Sequence, residues 1–426
     1  MSSAELSVSF SLQMCLILLI CQLAGWVSRR YFGQPRVIGE MIAGVLLGPS
    51  LFGLLLPQWQ HILFPAESLN MLYIGAQLGV GLFMFLVGID FRSELFRHHA
   101  GTAAAVSLAG MLVPFALAPF LAYVLVGNPG LFSSQITYVQ AVLFLGAAIS
   151  ITGFPVLARI IYDQGLGGTT LGTLALSAGA IGDIAAWCVL AVVLATFGAG
   201  PATALKAILG GAAYATFMLT AGRALLNRLG GIAEHNGGLS HTLLGVVLAI
   251  LMLCVAAADA IGIHAVFGGF LLGLAMPRGV LTRELQQKLE PIVVVFLLPM
   301  FFTYSGLSTR LELIVGGPYL PAALLIVVAS ILGKGVACWA AARMCGTDNR
   351  MALALGSLMN TRGLMELILA NIGLQRGVIQ APLFSILVLM AIVTTLTAAP
   401  LCTWFYGRHI REHLPGVLGQ LGHDTR

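Results

Sequence analysis

Leu176-Ser-Ala-Gly-Ala-Ile-Gly-Asp-Ile-Ala-Ala-Trp-Cys-Val-Leu190 is an apolar run with one carboxylate, Asp183, at its centre. Its flanks extend it over positions 170–197, more than the ~20 residues that a helix needs to cross a bilayer. A charge in the middle of a spanning helix costs about 2.5–3.5 kcal/mol on insertion scales, so a carboxylate retained there marks a functional site. Such a group can hold a proton or a metal cation, and each competes with the other.

Outward from this run the chain keeps the same character. It is 59% hydrophobic and 9% charged over 426 residues, with a mean hydropathy of +0.97. Soluble domains carry about 25% charged residues, so this is an integral membrane protein of all-α type. A β-barrel is excluded because the apolar runs are continuous and outlast the ~10 residues of a barrel strand. The 51 glycines suit helices that pack closely or break. The seven cysteines are scattered mostly through apolar segments without CxxC spacing, and read as small packing residues.

The hydropathy pattern predicts thirteen spans, near 7–28, 36–56, 71–89, 101–126, 138–162, 170–197, 202–225, 241–260, 262–277, 287–307, 319–342, 351–373 and 382–406. The first lacks a positive n-region and is followed by Arg29 and Arg30, so it reads as a retained anchor with the N-terminus outside. Alternating the loops from there places sixteen of the 21 Lys and Arg on the cytoplasmic side. Lys206, Arg310 and Arg376 fall outside, and Lys334 and Arg362 fall within spans. That bias follows the positive-inside rule and puts the C-terminus in the cytoplasm. The net charge of +5 is therefore topological and gives no reason to expect nucleic acid. After the last span, residues 407–426 read as a short tail, too short for a regulatory module, and the whole chain reads as one membrane transport domain.

The ionisable residues within spans are Glu40, Asp183, Asp259, Lys334, Arg362 and Glu366. Arg362 and Glu366 stand four apart on one helix and can neutralise each other, which reads first as an ion pair bracing a broken helix. Asp259 lies near the outer end of its span, where it can cap or pair locally. Asp183 and Lys334 have no opposite charge within one turn, so each must find a partner on another helix, and the simplest pairing is with each other. Burial and pairing act on such a couple in opposite directions, which can poise it for proton exchange.

Two spans carry helix-breaking signals. In Ala147-Ala-Ile-Ser-Ile-Thr-Gly-Phe-Pro-Val-Leu157, Ser150, Thr152, Gly153 and Pro155 interrupt the apolar run. Leu355-Gly-Ser-Leu-Met-Asn-Thr-Arg-Gly-Leu-Met365, which contains Asn360, is equally rich in polar residues and glycine. Unwound backbone at membrane depth is tolerated only where it lines a cavity or is buried in protein. Paired broken helices in two halves mark inverted-repeat transporters, whose freed backbone groups bind ions.

With these motifs in place the chain resembles the monovalent cation:proton antiporter superfamily, in the branch of bacterial Kef-type transporters and plant cation/proton exchangers. The likeness runs through Val37-Ile-Gly-Glu-Met-Ile-Ala-Gly-Val-Leu-Leu-Gly-Pro49, Phe83-Met-Phe-Leu-Val-Gly-Ile-Asp90, Ser150-Ile-Thr-Gly-Phe-Pro-Val-Leu-Ala-Arg159 and Gly262-Ile-His-Ala-Val-Phe-Gly-Gly-Phe270. It is most telling at Gly333-Lys-Gly335 and Met359-Asn-Thr-Arg-Gly-Leu-Met-Glu-Leu367. The resemblance implies a homodimer with a Na+/H+ antiporter-like fold. Its scaffold would be approximately residues 7–89 and 202–307, and its core of inverted repeats, with two crossed broken helices, 101–197 and 319–406. Asp183 falls where the family has its ion-binding aspartate, Lys334 where many members have lysine, and Thr152 at a position that supplies oxygen. Ser150, Arg362, Glu366, Asn360 and Asp259 are supporting candidates.

The implied activity is exchange of K+ or Na+ for H+ by elevator-like alternating access, with no cofactor, in a bacterial inner membrane. One departure stands out: members usually carry Asn-Asp, Asp-Asp or Gln-Asp here, whereas Gly182 precedes Asp183. Water or backbone would then complete the cation's shell, and a single titrating carboxylate favours electroneutral exchange, whereas a second proton released by Lys334 on cation binding would make exchange move net charge. A Kef-type gated potassium efflux channel or transport subunit is the main alternative. Intramembrane aspartyl protease chemistry would need a second aspartate and a Gly-x-Gly-Asp frame, and the residues here are Ala180-Ile-Gly-Asp183, so no enzyme activity is expected.

Overall fold

The computed structural model describes residues 3–90, 100–164, 166, 169–196, 201–261, 265–314 and 317–413. Arg92, Arg97 and Arg426, three of the sixteen basic residues expected on the cytoplasmic side, and Gly262, Ile263 and His264 of the 262–270 segment lie outside these residues. The helices are Ser3–Phe32 (α1), Arg36–Leu47 (α2), Pro57–Leu63 (α3), Ala66–Asp90 (α4), Ala100–Val126 (α5), Tyr138–Ser150 (α6), Phe154–Asp163 (α7), Thr170–Thr196 (α8) and Pro201–Phe217 (α9). They continue with Arg223–His235 (α10), His241–Ile261 (α11), Ala265–Ala275 (α12), Val280–Ile292 (α13), Leu298–Leu307 (α14), Leu320–Met344 (α15), Asn349–Met359 (α16), Leu364–Gln375 (α17) and Ala381–His413 (α18).

Among the described residues, eight helical segments are long and apolar enough to cross a membrane. The carboxylate-bearing α8 runs unbroken for 27 residues, about 40 Å at 1.5 Å per residue. The spans expected at 138–162 and 351–373 are each two half-helices, α6 with α7 and α16 with α17. The extended links between the halves fall at 151–153 and 361–363, where the polar and glycine residues interrupt each run.

The chain divides into two compact units. One comprises Met1–Ala24, Glu40–Arg92 and Leu190–Ser308. Its helices meet through glycine. Gly44 and Gly48, spaced Gly-x-x-x-Gly, lie against the backbone of Phe302 and Gly306, and Gly269 and Gly273 lie against Gly81, Phe85 and Gly88. Where lipid removes the hydrophobic drive between helices, such small faces let backbones approach and gain dispersion contact.

The other unit comprises Gly25–Gly39, Ser93–Val189 and Thr309–Arg426. Here one order occurs twice: a long helix, two half-helices and a second long helix, as α5, α6–α7, α8 and again as α15, α16–α17, α18. Each broken span is capped at its start. Thr137 and Gln140 form a capping box at α6, with Gln140 Oε1 accepting from the Thr137 amide at 3.0 Å. The Asp348 carboxylate accepts from the Arg350 amide at 2.9 Å ahead of α16, and that bond holds it below the ordinary carboxylate range.

The two extended links cross. Gly153 N donates to Thr361 O at 2.9 Å, and a methyl group on Gly153 would stand 2.7 Å from both the carbonyl carbon of Arg362 and the nitrogen of Gly363. Backbone atoms cannot step aside as a flexible side chain can, so the crossing requires glycine. Overpacking of this kind costs about 1–3 kcal/mol. We therefore expect Gly153→Ala to lower the thermal midpoint of the purified protein and its transport rate together. Gly101→Ala, at an open position, should change neither; equal behaviour of the two variants would refute the crossing as a packing constraint.

Candidate ion site

The site grows out of a problem at the end of α6. A helix leaves its last four carbonyls without intrahelical donors, and no bulk water is at hand within a membrane to take them. The Ala147 carbonyl accepts from Ile151 N at 3.2 Å. The next four carbonyls are met by two cationic side chains. Arg362 Nη1 donates to Ala148 O at 3.1 Å and also to Ile151 O, and its Nη2 donates to Ile149 O at 2.5 Å. Lys334 Nζ donates to Ser150 O. The negative end of a helix dipole favours positive charge, so these cations complete both the hydrogen bonding and the electrostatics of the break.

Arg362 is fully buried, and its remaining contacts hold it in place. Nη2 also donates to Ser330 Oγ at 2.5 Å. Its backbone N–H donates to Thr395 Oγ1 at 2.9 Å, and the single proton of that hydroxyl is shared between Ala391 O at 2.7 Å and Arg362 O at 3.1 Å. The pairing with Glu366 is present but long, 3.7 Å from Nε to Oε2 with both side chains buried. Neither Glu366 oxygen has a hydrogen-bond partner among the described residues. Glu366 lies in the first turn of α17, where the positive end of the dipole favours a carboxylate.

Lys334 is held by glycines on either side. Gly333 packs against Leu117 and Gly335 against Asn360 Nδ2, each 2.7 Å from where a methyl group would stand. Asn360 Nδ2 in turn donates to Ile331 O at 3.2 Å, tying the end of α16 to α15. Gly110 of α5 receives Cys338, whose thiol faces Val106 O at 3.6 Å, and lies beside the Lys334 stem. Lys334 is in electrostatic reach of Arg362, Cys338, Glu366 and Asp183. Among the described residues, Lys334, Arg362, Glu366 and Asp183 thus bring two formal cations and two formal anions into this unit's interior.

Asp183 is 1% exposed. Glycines bring α8 close to the first break: Gly179 meets Leu157 and Phe154, and a methyl group on Gly182 would stand 3.1 Å from Ser107 Oγ and 3.9 Å from Thr152 Oγ1. Thr152 and Ser150 are buried, and Ser150 Oγ donates to Ala147 O at 3.1 Å. The unit therefore gathers Asp183, Thr152, Ser150, Lys334, Asn360, Arg362 and Glu366. Asp259 belongs to the other unit, exposed near the end of α11.

Three contributors escaped the sequence reading. Ser330 stands four before Lys334 on α15, a spacing that places both on one face and could have been noticed. Thr395 and Ser107 sit in apolar runs with nothing local to single them out.

Crossed broken helices beside a buried carboxylate define a membrane transporter of the broken-helix class. The chain matches the family described as "Sodium/hydrogen exchanger, transmembrane" over residues 15–404, and it belongs to that family. It is 41% identical to the Na(+)/H(+) antiporter NhaS4 of Synechocystis sp., over 88% of this chain and 92% of that one. It is 35% identical to the Cation/H(+) antiporter 17 of Arabidopsis thaliana and 31% identical to the K(+)/H(+) antiporter 1 of Saccharomyces cerevisiae. The match takes in 93% and 96% of this chain and 48% of each of those proteins, so the chain spans about half their length. Its fold is similar to that of the sodium proton antiporter MjNhaP1 from Methanocaldococcus jannaschii, with a TM-score of 0.63 over 95% of this chain at 14% identity.

Magnitudes separate the two tasks of Arg362. Its loss would strand three carbonyls at about 1–3 kcal/mol each and leave Glu366 buried without its counter-charge. Loss of the Glu366 charge would remove only the long contact. We expect Arg362→Met to depress the thermal midpoint at least twice as far as Glu366→Gln. The reverse order would mean that Arg362 serves the ion pair and not the helix end.

Proposed function

We propose that this chain exchanges a monovalent cation, Na+ or K+, for a proton across a membrane, with Asp183 carrying one or the other in turn. The observation that carries this reading is a buried carboxylate on α8 that directly follows a glycine facing hydroxyls from two other elements, Ser107 and Thr152. Hard cations take oxygen ligands, and a carboxylate is also the natural proton carrier. Proton and cation cannot occupy it together, which couples their movements. The names of the relatives, Na+/H+ and K+/H+ antiporters, support the same conclusion.

Lys334 and Arg362 then have a supporting part. Their hydrogen bonds to α6 carbonyls hold them at the helix end, and their charges offset the cost of a carboxylate in a medium of low dielectric. With Asp183 the one group that changes occupant, each turnover moves one proton against one cation and no net charge. The residues of the site all belong to one compact unit. That favours carriage of the ion with the unit, in elevator-like alternating access, with 101–197 and 319–406 as the moving core and 7–89 and 202–307 as the scaffold. The homodimer of the family, a bacterial inner membrane and a cytoplasmic C-terminus complete the reading, the last from the Lys and Arg bias.

Liposomes containing the purified protein and a preset pH gradient test it. Na+ or K+ should restore internal pH, choline should not, and Asp183→Asn should still fold and reconstitute but abolish the response. Recovery that needs a protonophore would make the protein an uncoupled cation conductor. A current on cation addition to protein-loaded planar membranes would refute the electroneutral stoichiometry.

A further inference from the structure

Gly182, the residue before Asp183, offers no side-chain oxygen, and the structure gives its open face a neighbour. The direction in which a side chain at 182 would leave α8 points at Ser107 Oγ, 3.1 Å from the Cβ position, with Thr152 Oγ1 next at 3.9 Å. We propose that Ser107, on α5, is a cation ligand that replaces the side-chain oxygen missing at Gly182. The proposal rests on Asp183 as the exchange site.

Placement and chemistry both favour it. Ser107 is 4% exposed, and a buried hydroxyl is costly unless it is used. Helical serines commonly turn back to the carbonyl four residues earlier, as Ser357 and Ser385 do here at 2.9 and 2.8 Å. Ser107 Oγ instead faces the α8 backbone at Gly182, the residue before Asp183. The same stretch of α5 is fixed by its neighbours, since Val106 O faces the Cys338 thiol and Gly110 receives Cys338 and Lys334. The hydroxyl is therefore set at the junction of α5, α8 and the first break. It is a neutral oxygen with two lone pairs and a proton that can rotate away from a cation. A larger side chain at 182 would need the space that this hydroxyl takes, so the glycine and the serine form a matched pair.

The test measures the apparent KM for Na+ and K+ in proteoliposomes at several pH values. Ser107→Ala should raise KM about three- to tenfold, the worth of one hydrogen-bond-strength contact. The factor should be the same at every pH, because the proton affinity of Asp183 is left alone, and it should differ between Na+ and K+. Ser107→Thr should retain native KM, and Ser107→Ala combined with Gly182→Ser should recover it by returning the hydroxyl from the other helix. Gly182→Ala, which keeps Ser107 but crowds its oxygen, should raise KM as well and gives an independent reading if Ser107→Ala does not fold. KM values within twofold of native in Ser107→Ala, or an equal fall in maximal rate for both ions with no change in KM, would overturn the proposal. Activity surviving in Asp183→Asn would overturn the exchange site itself.

Discussion

Four carbonyls at the end of α6 impose the constraint on which this unit depends. Stopping a helix inside the membrane exposes its negative end where water cannot be relied on to satisfy it. The answer here is two cations from two places, Lys334 from α15 and Arg362 from the link between α16 and α17. The end of the first broken helix is satisfied only once the second repeat has packed against it. Two positive charges brought indoors then call for negative ones, and Glu366 and Asp183 share the interior with them. In this sense Asp183 belongs to the same charge balance that allows the helix to break.

Glycine makes the balance reachable. Charged side chains must stand close together without room for bulk between the helices that carry them. The crossing at Gly153 and Gly363, the Gly-Lys-Gly at 333–335 and the approach of Gly110 to Cys338 and Lys334 each remove a methyl group that would collide with a neighbour. In the other unit glycine does the same for helices that carry no part of the site, at Gly44 with Phe302 and Gly273 with Gly88. Gly182 follows the rule at the site itself, where the contact it permits is a hydroxyl.

The reading of Arg362 and Glu366 illustrates how far local spacing carries. Four residues apart in a run expected to be one helix, they invite an ion pair, and that pair is present although Arg362 lies in the extended link ahead of α17. Its length and the empty hydrogen-bond positions of Glu366 make it the weaker of the two roles. The guanidinium's stronger bonds run to carbonyls 211 to 214 residues earlier in the chain. No periodicity within a window of a dozen residues could reveal them.

The sequence by itself determined the membrane class and the two breaks, and it singled out the buried carboxylate that we propose as the exchange residue. Each is a local conflict between a residue and its surroundings: a charge in an apolar run, or glycine and polar residues where a helix should continue. Such conflicts are costly wherever the segment folds, so they are legible in one dimension. Only the tertiary structure decided which groups resolve them. It set Lys334 and Arg362 on the α6 carbonyls, placed Thr395 and Ser330 behind Arg362, and turned Ser107 toward Gly182. Hydrogen bonds at 2.5–3.5 Å depend on how helices distant in sequence pack, and that packing is a property of the whole unit.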